Sequence, residues 1–164
     1  MAQLYRDQFE HWINTATTTG STANPTYVRE GTGVEALSVQ FNPQKDTYKT
    51  ILNRTSQTTF KNYELNSSVS DKRCYSEDDI YDYLEDLRKT ATAGETQLVE
   101  INTAKSGGSV GTYEAVQYNV LITINEWLGE DATISYDIDY SNPVQGVATI
   151  GGTSGISFTP TASL

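Results

Sequence analysis

The chain has 164 residues, 37% of them hydrophobic, and a formal net charge of −10 at pH 7. This length predicts a single domain with a sizeable core, and the acidic balance argues against binding nucleic acid through clustered lysines and arginines. Cys74 is the only cysteine, which excludes an intrachain disulfide and a CxxC metal site.

The composition favours an all-β domain with polar connections, because Thr, Ser, Asn and Gly are frequent. The start of the chain lacks the charged-then-apolar pattern of a signal peptide, and no apolar run approaches the roughly 20 residues that a membrane span requires. We therefore expect synthesis in the cytoplasm and no membrane association.

The N-terminal part of the chain is predicted to be an arm over residues 1–32. A possible helical turn precedes the stretch 15–25, which is small, polar and typical of a linker. The two large aromatics of the arm, Phe9 and Trp12, are expected to pack either on this domain or on a neighbour.

A first strand is predicted over residues 37–41, where apolar and polar residues alternate before Asn42-Pro43. Residues 43–59 read as a long polar loop. Loops of this length are uncommon in compact domains and tend to be functional or mobile. Strand character resumes at Phe60, and the polar positions that follow through Ser68 are again not basic.

One helix is predicted over about residues 77–89, and it flanks a fold that is otherwise mainly β. Ser76 is the predicted N-cap, and the acids of the first turn suit the helix dipole. Gly94 is the predicted terminator, and a short strand over 97–101 follows. The apolar stripe of this helix consists of Ile80, Tyr83, Leu84 and Leu87.

The strongest pattern is a β-hairpin over residues 116–140, with its turn at 128–130. A period of two places alternate residues on opposite faces, so one face is predicted to be buried and the other to be polar. The polar positions of the second strand run from Asp131 to Asp139, and no Lys or Arg stands among them. Such a face is either a functional surface or the ordinary wet side of an antiparallel sheet.

After the hairpin, a turn is predicted over residues 141–146 and a last strand over 147–150. Residues 151–164 are predicted to be a C-terminal arm. No active site is predicted: His11 has no nucleophile nearby in sequence, and the acidic helix lacks a calcium-type loop. We expect no metal, no cofactor and no catalytic residue.

The order of these parts resembles the tail tube proteins of long non-contractile-tailed bacteriophages. The run Val34-Glu-Ala-Leu-Ser-Val-Gln-Phe-Asn-Pro-Gln-Lys is similar to the first core strand of that family. The capped helix, the hairpin end Ile134-Ser-Tyr-Asp-Ile-Asp-Tyr and the closing Asn142-Pro-Val-Gln-Gly are similar as well. The likeness covers about residues 33–150.

The resemblance implies a two-sheet antiparallel β-sandwich or barrel over residues 33–150, flanked by the helix. Six copies would close a ring, and rings would stack into a tube through which DNA passes without specific binding. The implied partners are the chain itself and the tape measure, tail tip and tail terminator proteins. The implied location is the tail of the virion, after synthesis in the cytoplasm of a host bacterium.

The resemblance also assigns residues to surfaces. The residues expected to line the lumen and repel DNA are Glu64, Asn66, Gln117, Asn119, Asp137 and Asp139. The residues expected to make inter-ring contacts are Lys45, Tyr48, Lys49, Ile51, Leu52, Arg54 and Trp12. The alternative function is a carbohydrate-binding or adhesin-type β-sandwich, which should expose aromatic residues, whereas the hairpin tyrosines Tyr118, Tyr136 and Tyr140 lie on the predicted apolar face.

Overall fold

A computed structural model describes residues 3–16, 25–51, 55–151 and 155–161. These residues are mainly β, with a single α-helix, as the sequence predicts. The helix is α1 (Asp79–Thr90), and a 3-10 turn spans Arg6–Gln8. The strands are β1 (Phe9–Asn14), β2 (Tyr27–Glu30), β3 (Pro43–Tyr48), β4 (Gln57–Tyr63), β5 (Leu65–Arg73), β6 (Gly94–Ser106), β7 (Thr112–Leu128), β8 (Thr133–Ile150) and β9 (Ile156–Pro160).

Seven strands form one antiparallel main sheet, in the order β2-β1-β6-β7-β8-β5, with β9 also paired to β8. Because β7 occupies one edge of β8 along its whole length, β5 and β9 share the other edge. Strands β3 and β4 form a separate two-stranded sheet.

The predicted hairpin is confirmed and is longer than expected, because β8 runs without interruption through the predicted turn at 141–146. A bulge replaces that turn: Asn119 lies opposite Ser141, whereas Gln117 lies opposite Val144, and Asn142 has a φ of 49°. An extra residue in one strand reverses its alternation. The two halves of β8 therefore bury side chains on opposite faces of the sheet.

Two hydrophobic cores result, one on each face of the main sheet. The first core lies under α1 and the second lies near β9, on the other face. The first core contains Ile13, Val69, Ile80, Tyr83, Leu84, Leu98, Val120, Ile122, Ile134, Tyr136, Ile138 and Tyr140. The second core contains Tyr27, Val99, Ile101, Ala115, Ala148 and Ile156.

The predicted arms are wrong where the structure describes them. Strand β1 lies inside the main sheet between β2 and β6, with Ile13 in the first core and Trp12 packed against the second. A strand that is covered on both faces carries no apolar–polar alternation, so its sequence gave no strand signal. In the C-terminal arm, β9 pairs with β8 and places Ile156 in the second core.

Two further expectations are wrong for residues 37–63. Leu37 and Val39 pack against the first core from an irregular segment, and only Gln40 forms an isolated bridge, to Asn66. The predicted loop over 43–59 is largely a hairpin, formed by β3 and β4. Because neither face of this hairpin is buried, its sequence is polar and lacks the apolar–polar alternation that predicts a strand.

The helix is confirmed with different ends. Asp78 is the N-cap, and its carboxylate accepts a hydrogen bond from the backbone N–H of Ile80 at 3.1 Å. The helix ends at Ala91, which is left-handed with a φ of 51°. Gly94, the predicted terminator, is the first residue of β6, which extends the predicted short strand at both ends.

A buried ion triad joins the helix to the sheet. Lys72 has no exposed surface, and its Nζ lies 2.9 Å from Asp78 Oδ2 and 3.2 Å from Glu30 Oε1. It also donates to the Thr32 carbonyl at 2.5 Å. A bulge between Val69 and Lys72 turns this lysine inward. Burial raises the pKa of Glu30, although Lys72 partly offsets the rise.

We expect Lys72→Met to lower the free energy of unfolding by about 3–5 kcal/mol, because two buried carboxylates lose their only cation. The matched control is Lys61→Met. Lys61 pairs with Asp46 at 2.9 Å on the surface, so its loss should cost about 1 kcal/mol or less. Urea denaturation of both variants measures the difference. Equal losses of unfolding free energy in Lys72→Met and Lys61→Met would contradict the structural role of the triad.

We expect Glu30→Gln to gain stability relative to the unmodified protein as pH rises. Since the folded-state pKa of Glu30 is raised, its favourable contribution is complete below the unfolded carboxyl pKa and is lost as pH rises through the folded pKa. The difference in unfolding free energy between the variant and the unmodified protein should therefore change between about pH 4.3, the unfolded carboxyl pKa, and the raised folded-state pKa of Glu30. Thermal unfolding at a series of pH values tests this, with exposed Glu95→Gln as control. A constant difference would show that Glu30 titrates normally.

Candidate functional site

The polar face of the main sheet brings together four of the six residues predicted to line a lumen. Asp139 lies opposite Asn66 on one side and Leu121 on the other, and Asp137 is two residues away on β8. Cross-strand partners point to the same face of a sheet. We call this surface the acidic face: Asn66, Ser68, Glu95, Gln97, Asn119, Leu121, Thr123, Asp137, Asp139 and Ser141.

The acidic face carries three carboxylates and no lysine or arginine. Its side chains are exposed or half-buried. Strand β5 carries its two basic residues at its end: Lys72 is buried on the side of the first core, and Arg73 lies opposite Thr133. Within the ten positions of the acidic face, the charged side chains are thus all carboxylates, as the sequence pattern of β8 predicts, and like charges on one surface produce a negative field.

The other two predicted lumen residues are placed elsewhere. Gln117 is half-buried and donates through Nε2 to the hydroxyl of Tyr27 at 2.8 Å, so it supports the second core. Glu64 stands between β4 and β5, outside the main sheet, and accepts a hydrogen bond from the Gln44 side-chain amide at 3.0 Å. Gln117 thus lies on the same side of the sheet as the acidic face, at its boundary with the second core, whereas Glu64 lies off the sheet.

Residues 43–63, here called the basic hairpin, contain most of the residues predicted for inter-ring contact. Lys45, Tyr48, Lys49 and Ile51 are exposed. Leu52 and Arg54 lie outside the described residues. Trp12 does not belong to this group, because it packs against the second core and its Nε1 donates to Glu10 at 2.9 Å.

An exposed aromatic cluster at the base of the basic hairpin was missed from the sequence. Phe41, Phe60 and Tyr63 are 54%, 54% and 52% exposed. The ring centroid of Tyr63 lies 5.6 Å from that of Phe41 and 4.7 Å from that of Phe60. Three solvated aromatic rings that touch one another form a surface suited to a partner. Phe60 and Tyr63 fall in the strand predicted from residue 60, but their spacing of three does not fit a period of two, and this was the available signal that they are not both core residues.

The basic hairpin also differs in charge from the rest of the chain. It contains four basic residues, Lys45, Lys49, Arg54 and Lys61, and one acidic residue, Asp46. This gives a net charge of +3 and leaves −13 for the remainder. The molecule therefore has one basic projection on an acidic body.

Outside these two surfaces, the described titratable residues include one histidine that pairs with a carboxylate. His11 Nε2 lies 3.3 Å from Glu100 Oε2, and the pKa of nearby Tyr118 is raised by burial and then by Glu100. Over residues 3–16, 25–51, 55–151 and 155–161, no cluster of three His, Cys, Asp or Glu side chains could hold a metal ion. Within the same ranges, no helix has the length and apolarity needed to cross a membrane.

Comparison of the chain with protein-family models gives no match, and no curated protein matches it. The acidic face, with carboxylates as its charged groups, and the basic hairpin, with a net charge of +3, are the two surfaces set apart by their charge.

We expect Gln117→Ala to lower the free energy of unfolding by about 1 kcal/mol, because it removes the hydrogen bond to Tyr27. Asn119→Ala, on the same strand and face, should change it by no more than about 0.5 kcal/mol, since that side chain is exposed. Chemical denaturation of the two variants checks the contrast. A larger loss of unfolding free energy in Asn119→Ala than in Gln117→Ala would contradict the assignment of Gln117 to the second core and of Asn119 to the acidic face.

Proposed function

We propose that the protein is the structural subunit of the tail tube of a long non-contractile-tailed bacteriophage. Hexameric rings of the chain stack into a conduit for genome delivery. The observation that carries this proposal is the basic hairpin, whose two strands pair only with each other in the described structure and are exposed along nearly their whole length. An isolated two-stranded sheet is marginally stable in water, so contact with a second copy supplies the support it lacks.

The edges of the main sheet support closure into a ring. In the described part of the chain, β2 is paired with β1 on one side only and β9 with β8 on one side only, whereas the outer edge of β5 is bridged at Asn66 to Gln40. Unpaired edges template further strand pairing. A ring of copies joined edge to edge covers these strands.

The acidic face supports the role of a conduit. DNA carries a dense row of negative phosphates and binds surfaces that present lysine and arginine. A wall lined by Asp137, Asp139 and Glu95 repels it, which keeps DNA mobile. In this proposal the acidic face lines the lumen, and the tape measure protein is a partner of the tube.

The remaining partners follow from the same proposal. The basic hairpin contacts the adjacent ring, and the tail tip and tail terminator proteins contact the two end rings. The chain acts without a cofactor and resides in the tail of the virion.

A second function is favoured by the exposed aromatic cluster. Carbohydrate-binding and adhesin-type β domains stack sugar rings on solvent-exposed aromatic side chains, and Phe41, Phe60 and Tyr63 present such rings. The three hairpin tyrosines Tyr118, Tyr136 and Tyr140 do not contribute, because they pack in or against the first core. This function predicts that a monomer binds glycans.

Sedimentation velocity over a range of protein concentrations separates the two functions. The proposed function predicts growth from monomer to rings and polymers, with or without a tail-tip fraction as nucleus. A monomer at every concentration, unaffected by tail tips, would overturn it. Glycan binding by that monomer, lost in Phe60→Ala, would establish the second function.

We expect tubes built from the double variant Asp137→Lys with Asp139→Lys to retain double-stranded DNA, because the wall then attracts phosphates. Binding should weaken as salt rises, since it depends on counterion release. Unmodified tubes should bind none. The control is Glu130→Lys with Asp131→Lys, which makes the same charge change in the exposed turn before β8. DNA retention by filter binding is the readout.

Failure of the Asp137→Lys with Asp139→Lys variant to form tubes, while the turn control forms them, would place these carboxylates in a subunit contact. That result would contradict the assignment of the acidic face to the lumen.

A further inference from the structure

We propose that charge complementarity holds the basic hairpin on the acidic body of a second copy of the chain. This inference rests on the proposed self-assembly and adds the chemistry of the contact. The hairpin has a net charge of +3 and the remainder of the chain −13. Two copies therefore attract each other when the hairpin of one meets the body of the next, and repel each other when body meets body.

Part of the positive charge on the hairpin is available to a partner. Lys61 is already paired with Asp46 within the hairpin at 2.9 Å. Lys45 and Lys49 are exposed, and neither has a carboxylate within 4 Å among the described residues. These two lysines are the cations that a second copy would meet first.

The outer side of α1 is the counterpart on the second copy. Six of the 21 acidic residues fall within residues 77–86. Glu85 is already paired with Arg88 and Lys89, and Asp78 with Lys72, whereas Asp79, Asp82 and Asp86 are exposed and make no ion pair in the described structure.

The spacing of the opposed charges is compatible. Residues 79 and 86 are separated by about 10 Å along a helix axis, at 1.5 Å per residue. Lys45 lies in β3 and Lys49 follows Tyr48, the last residue of that strand, so the two residues can be up to about 13 Å apart, at about 3.3 Å per residue. A hairpin lying along the helix could thus place two lysines within reach of the three aspartates.

A second copy is favoured over nucleic acid as the occupant. The acidic body around the hairpin repels phosphates, and a nucleic-acid surface would need a larger basic patch than two unpaired lysines and Arg54. The exposed aromatic cluster at the hairpin base adds an apolar contact that suits a protein surface.

The contact joins two different surfaces, the hairpin of one copy and the helix of the next. Such heterologous contacts repeat from copy to copy and generate rings or open-ended polymers rather than closed dimers. The inferred contact therefore has the symmetry that stacking requires.

Sedimentation of the unmodified protein at salt concentrations from about 0.05 M to about 1 M is the first test, and it needs no variant. The critical concentration for assembly should rise with salt, because exposed ion pairs are screened. Assembly that is independent of salt would overturn the inference while leaving the proposed function intact. A lack of assembly at every salt concentration, even with a tail-tip fraction present as nucleus, would overturn both.

Charge reversal is the second test. Lys45→Glu with Lys49→Glu should raise the critical concentration at low salt about tenfold or more. Arg73→Glu with Lys105→Glu, which makes the same charge change on the body at exposed positions, should raise it far less. Circular dichroism of both variants checks that they fold.

Rescue identifies the counterpart. Asp79→Lys with Asp82→Lys and Asp86→Lys should also fail to assemble alone at low salt. Mixed with the Lys45→Glu, Lys49→Glu variant, it should form co-polymers, since each copy then meets an opposite charge. Mixtures that stay monomeric would show that α1 is not the counterpart. Unmodified protein that binds DNA, with loss of binding in Lys45→Glu with Lys49→Glu, would replace the inference with a nucleic-acid contact.

Discussion

The pairing of β8 with three other strands is the constraint on which the structure depends. Strand β7 covers one edge of β8 over its whole length, and β5 and β9 divide the other edge. The bulge at Asn142 lets one strand fill the first core with its first half and the second core with its second half. Without that bulge, Ala148 would face the wrong side of the sheet.

This arrangement explains why an apolar core and a polar surface coexist on a single face. The face that carries the second core at the β9 end becomes the acidic face along the first half of β8, where Asp137 and Asp139 point away from the first core. Gln117 stands at the boundary, hydrogen-bonded to Tyr27. The acidic face thus lies on the main sheet, whereas the two strands of the basic hairpin pair only with each other in the described structure.

The residue pattern predicted the elements that have one buried face and one exposed face. It did not predict the strands that are covered on both faces or exposed on both faces. The alternation of residues 116–140 and the apolar stripe of α1 are signals of one buried face, and both elements formed. Strand β1 is covered on both faces and β3 and β4 on neither, so alternation was absent. The inward turn of Lys72 depends on a bulge, which no residue pattern specifies. Four lumen candidates came together because alternate residues of a strand share a face. Gln117 shares that face, but its side chain is hydrogen-bonded to Tyr27, 90 residues away, which the residue pattern does not specify.

Electron cryomicroscopy of polymers formed by the purified chain tests the account most directly. We expect hollow tubes in which Asp137 and Asp139 face the central channel and the basic hairpin contacts a copy in the adjacent ring. Tubes with the acidic face on the outside, or with the hairpin free in solvent, would contradict it. The same would be true of a sample that contains only monomers under every assembly condition.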